Sequence, residues 1–169
     1  AILGVAAISA KIYVSNIEFY VYVFGMTLGM STALLIGWLT GAGNYAQAYR
    51  LNVQNLKITV TCIFLLSLII YLFAEPLLGL FTNNPEIIAM GKLLLFVDIF
   101  VEIGRGFNHI EESSLRGAGD VFYPMFISII SCWLLSILLS YVFGIRLGLG
   151  LMGCWIAFAL DEFFRGTAY

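Results

Sequence analysis

The feature that most restricts this chain is a series of apolar runs too long and too closely spaced for a water-soluble core. A helix that crosses the hydrocarbon core of a bilayer needs about 20 mostly apolar residues. Residues 19–39, 58–80, 87–113 and 125–143 reach or approach that length, and 149–164 forms a shorter run, flanked by glycines and closing in charge. Residues 1–13 are apolar but too short to cross alone, and read as the tail of a helix cut by the start of the sequence. The runs carry no two-residue alternation, which argues against strands of a membrane barrel. An all-α membrane protein is therefore expected, a bundle of five transmembrane helices plus a truncated first helix.

Composition leads to the same class. Of 169 residues, 62% are hydrophobic and 11% charged, and the mean hydropathy is +1.00. A soluble domain carries about 25% charge, so this chain has too few charged groups to clothe a water-facing surface. A lipid bilayer removes that demand. Net charge is −2 without a basic run, which excludes nucleic acid as a partner, since phosphate neutralisation needs clustered Lys and Arg. Cys62, Cys132 and Cys154 sit inside apolar runs without metal-ligand spacing and read as small apolar thiols. No nucleophile–histidine–acid set or phosphate loop is apparent, so enzyme chemistry is not expected. The chain starts on Ala1 with no basic segment ahead of its first apolar run, as expected for a sequence that begins partway through a longer reading frame.

The connections are short. Ser15-Asn16 and Thr82-Asn83-Asn84-Pro85 read as turns. Gly41-Ala42-Gly43-Asn44 stops a helix, and the polar stretch 45–55 is expected to form a short surface helix. Pro76 breaks the 58–80 run late, and Pro124 opens the next. Arg50, Lys57, Arg116 and Arg165 collect on one side, against Lys11, Lys92 and Arg146 on the other. This places the 41–57 loop, the Arg116 loop and the C-terminus in the cytoplasm, with the chain in a plasma or inner membrane.

Two periodic patterns stand out. Gly25, Gly29, Ala33, Gly37 and Gly41 recur every fourth residue, a face that lets another helix approach closely or lines a cavity. Within 87–113, Asp98, Glu102, Arg105, His109 and Glu112 follow at intervals of four, three, four and three, which puts all five on one helical face. Asp98, Glu102 and Arg105 lie deep in the run. As charges facing lipid they would cost about 8–10 kcal/mol together, so the face must turn into the protein or a watery cavity. There it is either an internal ion-pair ladder or a place where carboxylates bind a proton or cation. His109 with Glu111 and Glu112 lacks zinc-site spacing, and no second histidine exists; no metal site is expected. Asp161, Glu162 and Arg165 close the last helix at i, i+3 and i+4, as a local ion pair near the inner interface or as part of a functional cavity.

Four stretches together resemble the multidrug and toxic compound extrusion (MATE) family. Gly37-Trp38-Leu39-Thr40-Gly41-Ala42-Gly43-Asn44, with Ala46, Ala48 and Arg50, is similar to the segment after that family's eighth helix. Glu75-Pro76-Leu77-Leu78-Gly79-Leu80-Phe81-Thr82, then Pro85-Glu86, resembles the junction of its ninth and tenth helices. Ser114-Leu115-Arg116-Gly117-Ala118-Gly119-Asp120, then Pro124, looks like the loop before the eleventh. Gly150-Leu151-Met152-Gly153-Cys154-Trp155, then Asp161-Glu162 and Arg165, resembles the twelfth. The order matches and covers almost the whole chain. The resemblance implies that residues 1–169 are a C-terminal lobe, from late in helix seven to helix twelve, of a two-lobed twelve-helix transporter. The partner would be a missing N-terminal lobe of the same polypeptide. It implies export of drugs or small organic cations by alternating access, coupled to H+ or Na+, with no other cofactor. Many members carry an acidic residue where Arg105 stands here, so the coupling candidates are Glu102, Asp98 and Arg105, with His109, Asp161, Glu162 and Arg165 as cavity or ion-pair candidates. A lipid-linked precursor flippase of the same superfamily, whose cavities are commonly basic, and a non-transporting helical membrane module are the alternatives.

Overall fold

The structure, a computed structural model, describes residues 4–169. Those residues form α1 (Gly4–Gly41), α2 (Tyr45–Leu72), the short α3 (Ala74–Gly79), α4 (Pro85–Gly117), α5 (Phe122–Ser131), α6 (Leu138–Tyr141) and α7 (Gly150–Ala168). One π turn, Cys132–Ile137, joins α5 to α6, and a second, Val142–Arg146, follows α6, so 122–146 is a single helical rod. No strand occurs among the described residues. By length and composition, Val5–Gly41, Tyr45–Leu72 and Phe122–Arg146 can each cross a membrane. α4, at 33 residues, is longer than a bilayer needs, and its mid-helix charges, Asp98, Glu102 and Arg105, face protein.

Two expectations are corrected at the start of the chain. Ser15-Asn16 is not a turn, and residues 4–13 contribute no separate truncated helix; residues 1–3 lie outside the described residues. From Gly4 onward they belong to α1, unbroken for 38 residues. The reason lies in the side chains around them. Ala7, Ala10, Val14, Ile17 and Val21 are all buried, at intervals of three and four that run straight through the Ser-Asn pair, so one apolar stripe holds the helix together. Among the described residues the bundle thus has five long helical segments rather than five and a stub. Nor do residues 45–55 form a surface helix of their own; they are the first turns of α2, capped by the Asn44 side chain, which accepts from the Gln47 amide at 3.3 Å.

Elsewhere the turn chemistry acts as expected. Gly43 takes φ +75 between α1 and α2. Pro76 ends α2 from a distance: a proline ring clashes with the carbonyl four residues back, which is that of Leu72, the last residue of α2. Asn84 caps α4 by accepting from the Glu86 amide at 2.9 Å, with Pro85 in the first turn.

α4 is the hub, packed against α1, α2, α3 and α7. The small-residue stripe of α1 serves that packing. A Cβ on Gly29 would sit 2.8 Å from the His109 carbonyl oxygen, and one on Gly117 would strike the Ala33 backbone. Only Gly41 of the series faces open space. An apolar plug of Val14, Ile17, Ala74, Leu78, Leu94, Val101 and Trp155 fills the half of the bundle nearer the 80–84 turn. At the other end the Asn52 amide donates to both Glu111 carboxylate oxygens (3.2 and 3.0 Å) and accepts from Ser114 at 2.6 Å. Between these lies a belt of ionisable residues.

Candidate functional site

The stripe on α4 does turn inward. Asp98 is 4% exposed and Glu102 fully buried. Glu102 forms an ion pair with Arg105, three residues on. The Arg105 guanidinium lies 5.5 Å from the Tyr22 ring centroid, and its Nε is 3.8 Å from Glu162 on α7. The His109 ring meets Tyr22 edge-on at 5.3 Å. Glu112, the last of the five, is farther out, 3.7 Å from Arg116.

The closing trio of α7 forms the local ion pair expected from its spacing, and does so in the interior. Asp161 and Glu162 are both buried. Arg165 reaches Asp161 at 3.0 Å and Glu162 at 2.8 Å. Glu162 also accepts from the Asn108 amide at 2.7 Å. Asp161 accepts from Ser131 and from Ser136, the latter at 2.7 Å. Glu102, Arg105, Glu162, Arg165 and Asp161 therefore run as one alternating chain of charge from α4 to α7. Because Arg165 belongs to that interior chain, it drops out of the loop cations, which then number three on each side.

Sequence reasoning missed one member. Glu18, on α1 just past the Ser15-Asn16 pair expected as a turn, brings a carboxylate oxygen within 4.8 Å of one from Asp98 and one from Glu102. His109 stands apart from this group. Trp155 on α7 donates its indole N–H to Asp98 at 3.2 Å. Trp155, Asn108, Ser131 and Ser136 also escaped sequence reasoning, because none is charged and each acts across helices. One Glu102 oxygen, Oε2, is buried without a hydrogen-bond partner among the described residues.

The resulting balance is unusual. Asp98, Glu102, Asp161 and Glu162 are buried and Glu18 half-buried, against two guanidiniums, Arg105 and Arg165. Such groups are stable away from water only when paired or neutralised. The Asp161 and Glu162 end is well supplied with donors. The Glu18–Asp98–Glu102 end has one indole and a shared arginine, and can take up protons or a metal cation as counter-charge.

The MatE family model matches residues 1–142. This chain belongs to the MatE family of transporters. It is 39% identical over 166 residues to YisQ, an uncharacterized transporter of Bacillus subtilis (strain 168), an alignment covering 98% of this chain and 36% of that protein. A probable multidrug resistance protein, NorM of Thermotoga maritima, is 31% identical over 144 residues, with 85% and 31% covered. Multidrug and toxin extrusion protein 2 of Oryctolagus cuniculus is 25% identical over 168 residues, with 99% and 28% covered. This MatE chain thus spans about a third of the length of the curated relatives it matches. Family and apolar helices together make it an integral, multi-pass membrane protein in a lipid bilayer.

Proposed function

We propose that this chain is the C-terminal lobe of a cation-coupled antiporter that exports drugs or organic cations by alternating access, and that Glu18, Asp98 and Glu102 hold the coupling ion, H+ or Na+. The observation that carries the reading is the excess of buried carboxylates over guanidiniums, concentrated where Glu102 keeps an unpartnered oxygen. Buried ionisable groups in a membrane bundle mark ion pathways by default. Arg105 stands where many members have an acid, yet it touches both Glu102 and Glu162; the carboxylates come from the positions around it. Both arginines are matched by acids, which disfavours an anionic lipid-linked cargo. The five long segments take the places of helices eight to twelve, with α1 as the whole of the eighth, and the missing N-terminal lobe supplies the other wall of the path.

Trp155 offers the test. The chain carrying Trp38→Phe and Trp133→Phe, held in lipid nanodiscs, has Trp155 as its one tryptophan. Its emission is expected to change saturably with sodium or with pH, and Asp98→Asn is expected to abolish the change. An emission indifferent to both cations would remove the site.

We propose a plasma or inner membrane for the chain, a reading supported by relatives named for multidrug resistance. We put the C-terminus in the cytoplasm. Lys92 is neutralised by Glu75 at 2.5 Å, which leaves Lys11 and Arg146 against Arg50, Lys57 and Arg116 (whose Glu112 lies at 3.7 Å). Single cysteines at Asn44 and Ala118 in a cysteine-free chain are expected to label from inside and one at Asn84 from outside; the reverse pattern inverts the topology.

A further inference from the structure

The rod Phe122–Arg146 is the segment least embedded in the bundle. Among its described residues only Pro124, Ser131 and Gly144 are buried. Near its start the Tyr123 hydroxyl donates to the Ala168 carbonyl at 2.5 Å and Ser128 meets the Tyr169 hydroxyl; farther along, the rod is held to α7 at two places, each at a π turn. One is a glycine crossing: a Cβ on Gly153 would sit 2.5 Å from the Phe143 carbonyl carbon and 2.7 Å from the Gly144 nitrogen. The other is polar. The Ser131 hydroxyl donates to Oδ1 of Asp161, and the Ser136 hydroxyl to Oδ2 at 2.7 Å.

These serines are five residues apart. On an α-helix at 3.6 residues per turn, such positions diverge by about 140°, and both could not reach one carboxylate. The π turn Cys132–Ile137, with its i→i+5 hydrogen bonds, brings them to the same face. π turns interrupt α-helices rarely and often at functional sites; here the local consequence is a carboxylate gripped from both sides. Asp161 in turn holds Arg165, which also holds Glu162, which faces Arg105, the partner of Glu102.

We propose that Ser131 and Ser136, brought together by the π turn, are positioning residues that set how strongly the Glu18–Asp98–Glu102 group binds its cation, acting through Asp161, Arg165, Glu162 and Arg105. The proposal rests on the cation-site reading above. The sign follows from the order of the chain. Without its two hydroxyls, Asp161 depends on Arg165 alone and draws it from Glu162. Glu162 then draws Arg105, and Glu102 loses counter-charge. A cation at the carboxylate group is bound more tightly as a result.

The test uses the chain with Trp155 as its sole tryptophan, in nanodiscs, titrated with sodium at fixed pH and separately with protons. In Ser131→Ala/Ser136→Ala, the cation to which the native chain responds is expected to bind about fivefold more tightly, the scale of one lost hydrogen bond. Ser131→Thr/Ser136→Thr keeps both hydroxyls and is expected to restore the native midpoint. Ser136→Ala alone, expected to give a smaller shift of the same sign, serves if the double variant does not fold. A native response with unchanged or weakened binding in the alanine variants overturns the latch and leaves the cation site standing. A native chain whose Trp155 answers to neither cation overturns the cation site, and the latch with it.

Discussion

α4 and the rod Phe122–Arg146 are both long helices in the same bundle, and they are built inside out relative to each other. α4 buries Asp98, Glu102, Asn108, Ser113 and Ser114 beside its apolar residues. The rod exposes Phe126, Ile129, Ile130, Trp133, Leu134, Ile137 and Leu138, and its one buried polar side chain, Ser131, is spent on Asp161. In water this arrangement would be perverse. In lipid it is the economical one, because burying apolar surface against protein gains little over leaving it in acyl chains, whereas a charge must be enclosed. The rod is therefore held by shape and by a few hydroxyl contacts, while α4 is held by charged and polar partners on four neighbouring helices.

If this contrast is right, truncating an interior charge should do far more harm than truncating a large side chain of the rod. The largest effect is expected from Arg105→Ala. It leaves Glu102 and Glu162 without their shared cation, and loss of one partner of a buried pair costs about 3–5 kcal/mol. Unfolding of the chain by sodium dodecyl sulfate in mixed micelles measures it; a change under one tenth of the parent's stability would mean that α4 is not held by its charges. Next comes Gly153→Val at the helix crossing. Its methyl groups would meet the Phe143 and Gly144 backbone, and overpacking of this kind costs about 1–3 kcal/mol. Because the glycine crossing touches no carboxylate, the sodium or proton response of Trp155 should survive in whatever fraction remains folded. The smallest effect belongs to Leu134→Ala. This side chain is 57% exposed on the rod, and its loss should shift stability by no more than about 0.5 kcal/mol, as at a site without buried neighbours. A loss as large as that of a buried leucine would show that Leu134 packs against protein.

How much of this was legible in the sequence varies from residue to residue. The inward turn of Asp98, Glu102 and Arg105 followed from spacing and the cost of charge in lipid, both local properties of one helix. Asn84-Pro85 and Gly43 were legible for the same reason, since caps and left-handed turns are set within a few residues. Glu18 was missed because Ser15-Asn16 was weighted as turn chemistry, while the buried stripe from Ala7 to Val21 was already there to be counted. Arg165 was read as a loop cation because its register says nothing of depth. The grip of Ser131 and Ser136 on Asp161 lay beyond reach: an i, i+5 pair means nothing on an α-helix, and only the π turn makes it a pair. Trp155 and Asp98, 57 residues apart, meet only through the packing of α7 on α4. Which residues are polar and buried could be read from one helix; which of them touch could not.

The unbroken α1 has a mechanical consequence. Its 38 residues rise about 57 Å at 1.5 Å each, nearly twice the hydrocarbon thickness of about 30 Å. One close approach to α4 is at Gly29, against the His109 backbone. Glu18 lies eleven residues to one side of that point and Gly41 twelve to the other, arms of about 16 and 18 Å. A stiff rod pivoting there is a balance beam. A rocking of 10° would carry the Glu18 backbone about 3 Å one way and the Gly41–Asn44 turn about 3 Å the other, so a displacement at the carboxylates reappears, reversed and almost undiminished, at the opposite end of the helix.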